Sequence, residues 1–280
     1  MINIARLKQN LDFISSLGEL IEIMRLASTS QFNQFRSYRP AWPEFSASLE
    51  KALALIPPAQ RGNDFFALKP GKPSAIILLT SDEGFLGELN SALINKLFEA
   101  RQEGDRIIVL GQQGINYLKE PNLDFQEFSA FSDKPELKQI EEVRDYVLGL
   151  YLKGEVSRIV AVFASFQSIT SQHAESEILL PFPQSISACG KMVKGELLVE
   201  PDNREVIRGL VKLWLYAKLY QIFWAGKLSE FGARIMHLEA SSQELGRTNQ
   251  GLRLEYFKYL HGVSDKTIRE IYAARLMRKG

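Results

Sequence analysis

The sequence predicts an α/β domain, Rossmann-like with a mostly parallel sheet, inserted between two long helices that pair as an antiparallel coiled coil. Three observations predict it. From Glu205 to the C-terminus there is no proline, and a seam steps by three and four through Ile207, Leu210, Trp214, Ala217, Gln221, Trp224, Leu228, Phe231, Ile235 and Leu238. It continues through Ser242, Leu245, Asn249, Leu252, Tyr256 and Tyr259, about seven heptads in all with polar lapses at Gln221, Ser242 and Asn249. At 1.5 Å per residue such a helix is on the order of 110 Å long, too long to bury itself in a domain of this size, so a shaft is expected. The second observation is a shorter stripe at the N-terminus. The third is the alternation of apolar runs, glycine loops and helical stretches between the two, the pattern of right-handed βαβ crossovers.

In chain order, residues 2–39 read as a helix. Ile4, Leu7, Leu11 and Ile14 form its stripe, Gly18 weakens it, and Ile21 and Met24 resume it. Phe32 and Phe35 extend the apolar face after an expected change of phase. An amphipathic helix with an incomplete seam needs a partner. Pro40 and Pro43 end or kink it, and a short helix follows over 44–56 before Pro57 and Pro58. Residues 75–80, Ala-Ile-Ile-Leu-Leu-Thr, are a buried strand; a glycine loop over 81–87 leads to a helix over 88–102. Residues 106–110 are the next strand, followed by Gly111-Gln-Gln-Gly114 and a short helix. A weaker strand lies over 124–130, a helix over 135–152 capped at Ser132 or Asp133, and a third strong strand over 158–164. Residues 167–203 read as irregular structure with short strands, Glu196 to Val199 among them. The expected domains are therefore 1–56, 70–203 and 204–280.

Composition narrows the function. A net charge of +1 argues against nucleic-acid binding, which leaves a basic excess or stripe. One cysteine, Cys189, excludes an internal disulfide and a cysteine-based zinc site. No stretch of about 18 uncharged apolar residues is present, so no membrane-spanning helix is expected. The N-terminus lacks the basic start and apolar run of a signal peptide, so an unprocessed chain in a bacterial cytoplasm is expected. His173, His237 and His261 are scattered and make no metal-ligand set. Ser165 and Ser168 lack the G-x-S-x-G elbow of a serine nucleophile. Asp82 and Glu83 could be an acid/base pair, but adjacent acids in a turn more often cap and meet solvent. Gly84, Gly87, Gly111 and Gly114 follow strands, yet neither loop gives Gly-Lys-Ser/Thr or G-x-G-x-x-G, so they are read as turn glycines rather than a phosphate cradle. No catalytic residue, cofactor or metal is expected.

The ordered motifs resemble one family. Thr80-Ser-Asp-Glu-Gly-Phe-Leu-Gly-Glu-Leu-Asn90 is similar to the T/S-D-x-G-L-x-G-x-x-N segment of the γ subunit of the F-type ATP synthase, the central rotor shaft. Asp82, Gly84, Gly87 and Asn90 match, with Phe85 for the usual leucine. Leu110-Gly-Gln-Gln-Gly114 resembles that family's V-G-x-x-G. Met24-Arg25-Leu26, with Ala27 and Ser30, resembles A-M-K-M-V-A-x-S-K. Ser229-Glu230 with Ala233-Arg234 resembles S-E-x-x-A-R-M, and Ile268 to Ile271 with Ala273 resembles the closing I-x-E-I. The resemblance spans nearly the whole chain in family order. It implies a non-catalytic subunit peripheral to the membrane. Its partners would be the α and β subunits, the ε subunit and the membrane c-ring. Met24 and Arg25 would lie at the ring's lower contact, and Ile268 and Glu270 at its upper bearing.

The chain departs from the family at Glu19 and Glu22, where lysines are usual. It departs again where Y-N-x-x-R-Q-x-x-I-T is replaced by Tyr256, Phe257, Leu260, His261, Ser264 and Asp265. These changes imply a divergent γ, as in an alternative F-type ATPase, with compensating charge in the β partner. Two other classes compete: a coiled-coil adaptor with an α/β head, and a nucleotide-binding enzyme built on the insert.

Overall fold

The computed structural model describes residues 4–37, 42–56, 64–67, 71–120, 123–128, 137–182, 200 and 202–278. The elements in order are α1 (Ile4–Ser37), α2 (Trp42–Leu55), β1 (Ser74–Leu79), α3 (Leu89–Ala100), β2 (Arg106–Leu110) and α4 (Gln112–Lys119). They continue as β3 (Phe125–Phe128), α5 (Leu137–Leu152), β4 (Arg158–Ser168), β5 (Ser171–Leu180) and α6 (Asn203–Met277). The expected Glu196–Val199 strand and the Ser132 or Asp133 cap lie outside the described residues.

The sheet order is β3-β2-β1-β4-β5. The first four strands are parallel, and β5 runs antiparallel to β4. Because successive side chains point to opposite faces, β1 divides its apolar residues between two cores. Ala75 and Ile77 join α2, α5 and the first part of α6 on one face. Ile76 and Leu78 meet Leu93 and Leu97 of α3 and Leu118 of α4 on the other. This is the covering of both faces that a parallel sheet requires.

The hairpin from β4 to β5 corrects the sequence reading, which ended the third strand at 164 and took 167–203 as irregular structure with short strands. Strand β4 continues to Ser168, and Ser171–Leu180 pairs with it along its length. β5 is an edge strand of polar residues, and only Leu179 and Leu180 in it are fully buried. It therefore lacks the apolar signal of an inner strand, while its charges suit an edge that must not recruit another chain.

The chain divides into two compact units, Met1–Ser30 with Ile235–Gly280, and Gln31–Arg234. Both α1 and α6 run through the division. In the larger unit Phe35 packs against Trp224 and Phe231, and Trp42 against Tyr216 and Tyr220. The partners retreat along α6 as the chain advances, so the packing is antiparallel. Trp214 is 2% exposed, and its indole N–H donates to Glu50 Oε1 at 2.8 Å. Gln221, a polar lapse in the seam, donates from Nε2 to the Trp42 carbonyl at 2.9 Å and to Ser46 Oγ at 2.8 Å. That lapse is a satisfied contact.

In the smaller unit the α6 seam is the covered face. Leu238 is buried, and Ile235, Ser242, Leu245, Asn249, Leu252, Tyr256 and Tyr259 are half-buried. On α1 the covered positions include Ile4, Leu7, Leu11, Ile14, Gly18, Ile21, Arg25 and Ser28, with Leu17, Glu22 and Met24 half-buried beside them. This is an unbroken three–four step. The expected change of phase between Met24 and Phe32 is therefore absent: Arg25 and Ser28 keep the step with polar side chains, which a search for apolar residues passes over.

Candidate functional site

The sheet changes direction of growth between β1 and β4, and in doubly wound folds the crevice beyond the carboxyl ends of such strands receives the ligand. Residues 80–90 wall it, and their hydrogen bonds are internal. The Thr80 amide donates to the Leu110 carbonyl at 2.8 Å, and Thr80 Oγ1 accepts from the Gly114 amide at 2.9 Å. Asp82 Oδ1 accepts from the Gln112 amide at 3.0 Å. The carboxylate thus sits at the first turn of α4, where unpaired amides and the helix dipole favour an anion. The place a phosphate would take at that helix is held by the chain's own side chain. Asn90 Nδ2 donates to Ser81 Oγ at 2.9 Å, and Ser81 Oγ donates to the Glu83 carbonyl at 2.9 Å.

The glycines divide by cause. A Cβ at Gly111 would lie 2.2 Å from the Thr80 carbonyl oxygen, and Gly111 has φ 105°. A Cβ at Gly114 would lie 2.6 Å from Thr80 Oγ1. Gly87 turns at φ 57°. Gly84 has neither a close neighbour nor a left-handed backbone, so its expected role as a required turn glycine is not seen. Phe85 takes the left-handed conformation beside it, at φ 63°, with its ring half exposed.

α6 closes the crevice. A Cβ at Gly226 would lie 2.7 Å from Leu79 Cδ2, at the end of β1. Ser229 Oγ donates to the Ala164 carbonyl of β4 at 3.2 Å. A Cβ at Gly232 would meet Gln172 Nε2 at 3.0 Å. Small residues at three-residue spacing let the helix backbone approach the strand ends. Glu230, buried, accepts from Arg234 Nη2 at 2.8 Å and pairs with Lys227 Nζ at 3.0 Å. Arg234, also buried, reaches Glu83 at 3.3 Å and donates from Nε to the Gly84 carbonyl at 3.4 Å. Two cations share the Glu230 carboxylate, with Glu83 beside them, so the buried charges are paired. The space left measures about 30 Å³, room for a water or two and far below a nucleotide pocket.

The structure thus brings Asp82, Gly84 and Gly87 into one loop, with Asn90 in the first turn of α3 behind it, and sets Glu230 and Arg234 against it, joining two segments far apart in the sequence. It does not bring Met24, Arg25, Ile268 and Glu270 together. Met24 is half-buried on α1. Arg25 binds Glu22 and Glu239. Ile268 is 63% exposed, and Glu270, exposed, lies 3.9 Å from Lys266. Gly226 and Lys227 were missed by the sequence reading, and Thr80, which opens the Thr80–Asn90 segment, was given no role of its own; the spacing of Gly226, Ser229 and Gly232 was the signal for a close helix crossing. Among the described residues no group of histidine, cysteine, aspartate and glutamate could hold a metal. No described helix is long and apolar enough to cross a membrane.

A mostly parallel sheet whose strand ends are closed by the chain's own long helix defines a variant of the doubly wound fold, and a family model described as ATP synthase matches residues 3–261. The chain belongs to that family. Within it, the chain is similar to gamma chains. The ATP synthase gamma chain of Clostridium kluyveri is 27% identical, over 95% of this chain and 94% of the relative. That of Clostridium beijerinckii is 23% identical over the same shares. The fold is also that of the rotor of Euglena gracilis mitochondrial ATP synthase, at a TM-score of 0.69 and 15% identity, over 93% of this chain and 98% of that one. The central stalk and c-ring structure of Tetrahymena thermophila mitochondrial ATP synthase contains a match at a TM-score of 0.56 and 16% identity, over 82% and 99%.

Proposed function

We infer that this chain is the central-stalk γ subunit of an F-type ATP synthase, non-catalytic itself, which carries rotation between a membrane c-ring and a catalytic ring of α and β subunits. The observation that carries the reading is one uninterrupted helix of 75 residues whose Gly226–Arg234 stretch is bound to the strand ends of the α/β domain. Torque applied to that domain reaches the helix through buried side chains and paired charges rather than through a loop. The α/β domain is then the foot, resting on the c-ring and binding ε. Residues 1–56 and 204–280 form the shaft and 70–203 the foot. The complex works at the cytoplasmic face of a bacterial inner membrane and moves protons or sodium ions. Met24, Ile268 and Glu270 face the ring; Arg25 lies beside Met24 at the same level. The Glu83–Arg234 pair and the Asp82 cap keep the foot loop in place as load is applied.

The test is assembly and rotation. The chain is purified with its native α and β subunits, and a probe is fixed to the foot. ATP-driven unidirectional rotation is expected, with no ATP hydrolysis by the chain alone. A monomer that takes up neither subunit would overturn the reading in favour of an adaptor. ATP binding by the chain alone would favour the enzyme.

A further inference from the structure

The coil of the smaller unit has a seam that apolar packing alone does not index. Moving one helix by seven residues along the other sets a and d positions against a and d positions again. Register therefore depends on members that tolerate only one neighbour. Among the seam positions Ile4, Leu7, Leu11, Ile14, Gly18, Ile21, Arg25 and Ser28, only Arg25 is charged. None is charged in the α6 seam from Ile235 to Tyr259. Asn249, the other strongly polar member, leaves its Oδ1 without a hydrogen-bond partner, so it does not choose between neighbours.

Arg25 is 28% exposed at its side chain. Its Nη2 donates to Glu22 Oε1 at 2.6 Å and its Nε to Glu22 Oε2 at 2.9 Å, a bidentate grip along α1. Across the coil, Nε lies 3.5 Å from Glu239 Oε2. One heptad either way along α6, the residues equivalent to Glu239 are Gly232 and Gly246. Two heptads away they are Ala225 and Arg253. Glu239 is thus the one carboxylate in its row, and a shifted coil would set the Arg25 side chain against glycine, alanine or another arginine.

We propose that Arg25 is the positioning residue that fixes the register of the coil, through Glu239 opposite it and with Glu22 holding its guanidinium in the seam. Arg25 then serves the coil rather than reaching outward, and Glu22 is neutralised within the chain, so it needs no compensating cation on a partner. The register claim concerns this chain alone. Only its consequence, a rotor surface presented at a fixed height, rests on the function proposed above.

Nitroxide labels at Asn10→Cys and Glu255→Cys, both exposed, in a Cys189→Ser background of the full chain, report the register as a distance distribution. The parent is expected to give one narrow distance. Glu239→Gln and Arg25→Met are expected to add a second population, displaced along the coil by about 10 Å, one heptad of helix rise. Glu22→Gln, which leaves the cross-coil contact, is expected to keep the single distance. Charge reversal in Glu239→Lys should give the largest second population. A single unchanged distance in Glu239→Gln and Arg25→Met would overturn the proposal, and because no ring is present it would do so without touching the rotor reading.

Discussion

A methyl group at position 111 would occupy space already held by the Thr80 carbonyl, 2.2 Å from its oxygen, on a backbone with φ 105°. Both the clash and the left-handed conformation oppose any side chain. Gly111→Ala is expected to cost about 3 kcal/mol or more, read from denaturant unfolding; a loss within experimental error would show that the β1 and β2 ends can part freely. Tyr151 gives the residue scale a pH signature. Burial, and secondarily the charge of Asp64, push its phenol up to about 12 from 10.0. The folded state therefore holds this proton after the unfolded chain has lost it. The stabilisation is complete below pH 10 and declines as pH rises from there toward about 12. Tyr151→Phe should flatten the alkaline loss of the urea midpoint, leaving the neutral value little changed beyond the ordinary cost of a core substitution. An alkaline limb as steep as the parent's would assign the loss to other groups.

Among elements, what could be read from the sequence depended on whether burial was apolar. β1, β2 and the start of β4 announce themselves through unbroken apolar runs rich in isoleucine, leucine and valine, as strands covered on both faces must. β5 does not, because an edge strand can be built from Gln172, Glu175 and Glu177. The α1 seam was half legible for the same reason: Arg25 and Ser28 hold its rhythm without its hydrophobicity. The candidate site was legible as two motifs, but not as one place, since nothing local in either says that Arg234 reaches Glu83 and Gly84. The polar seam members also predict energetics. The Asn249 Oδ1 has no partner, and burying an unsatisfied amide costs roughly 1–3 kcal/mol. Asn249→Leu should therefore raise the thermal midpoint of the coil helices, followed by circular dichroism. A lowered midpoint would mean that the amide side chain makes contacts worth more than the apolar packing gained.

Over the whole molecule, covering stops abruptly. Tyr259 is half-buried, and every described residue from Leu260 to Arg278 is exposed, including Ile268, Ile271, Tyr272 and Leu276. An eighteen-residue helical end carrying this much apolar surface gains nothing from the rest of the chain, and an isolated helix of that length is marginal in water. Its composition makes sense where something outside the chain covers it. Removing residues 262–280 should therefore leave the thermal midpoint of the remaining chain unchanged within about 1 °C, since no buried contact is lost. In the assembled complex the same truncation should lower the yield of chains retained with the α and β subunits and weaken the rotary output against load. The two measurements separate the possibilities. A truncated chain that melts early would place the end helix in this chain's own stability. One that melts normally and assembles and turns under load like the parent would leave Ile268 and Glu270 without the bearing role proposed for them.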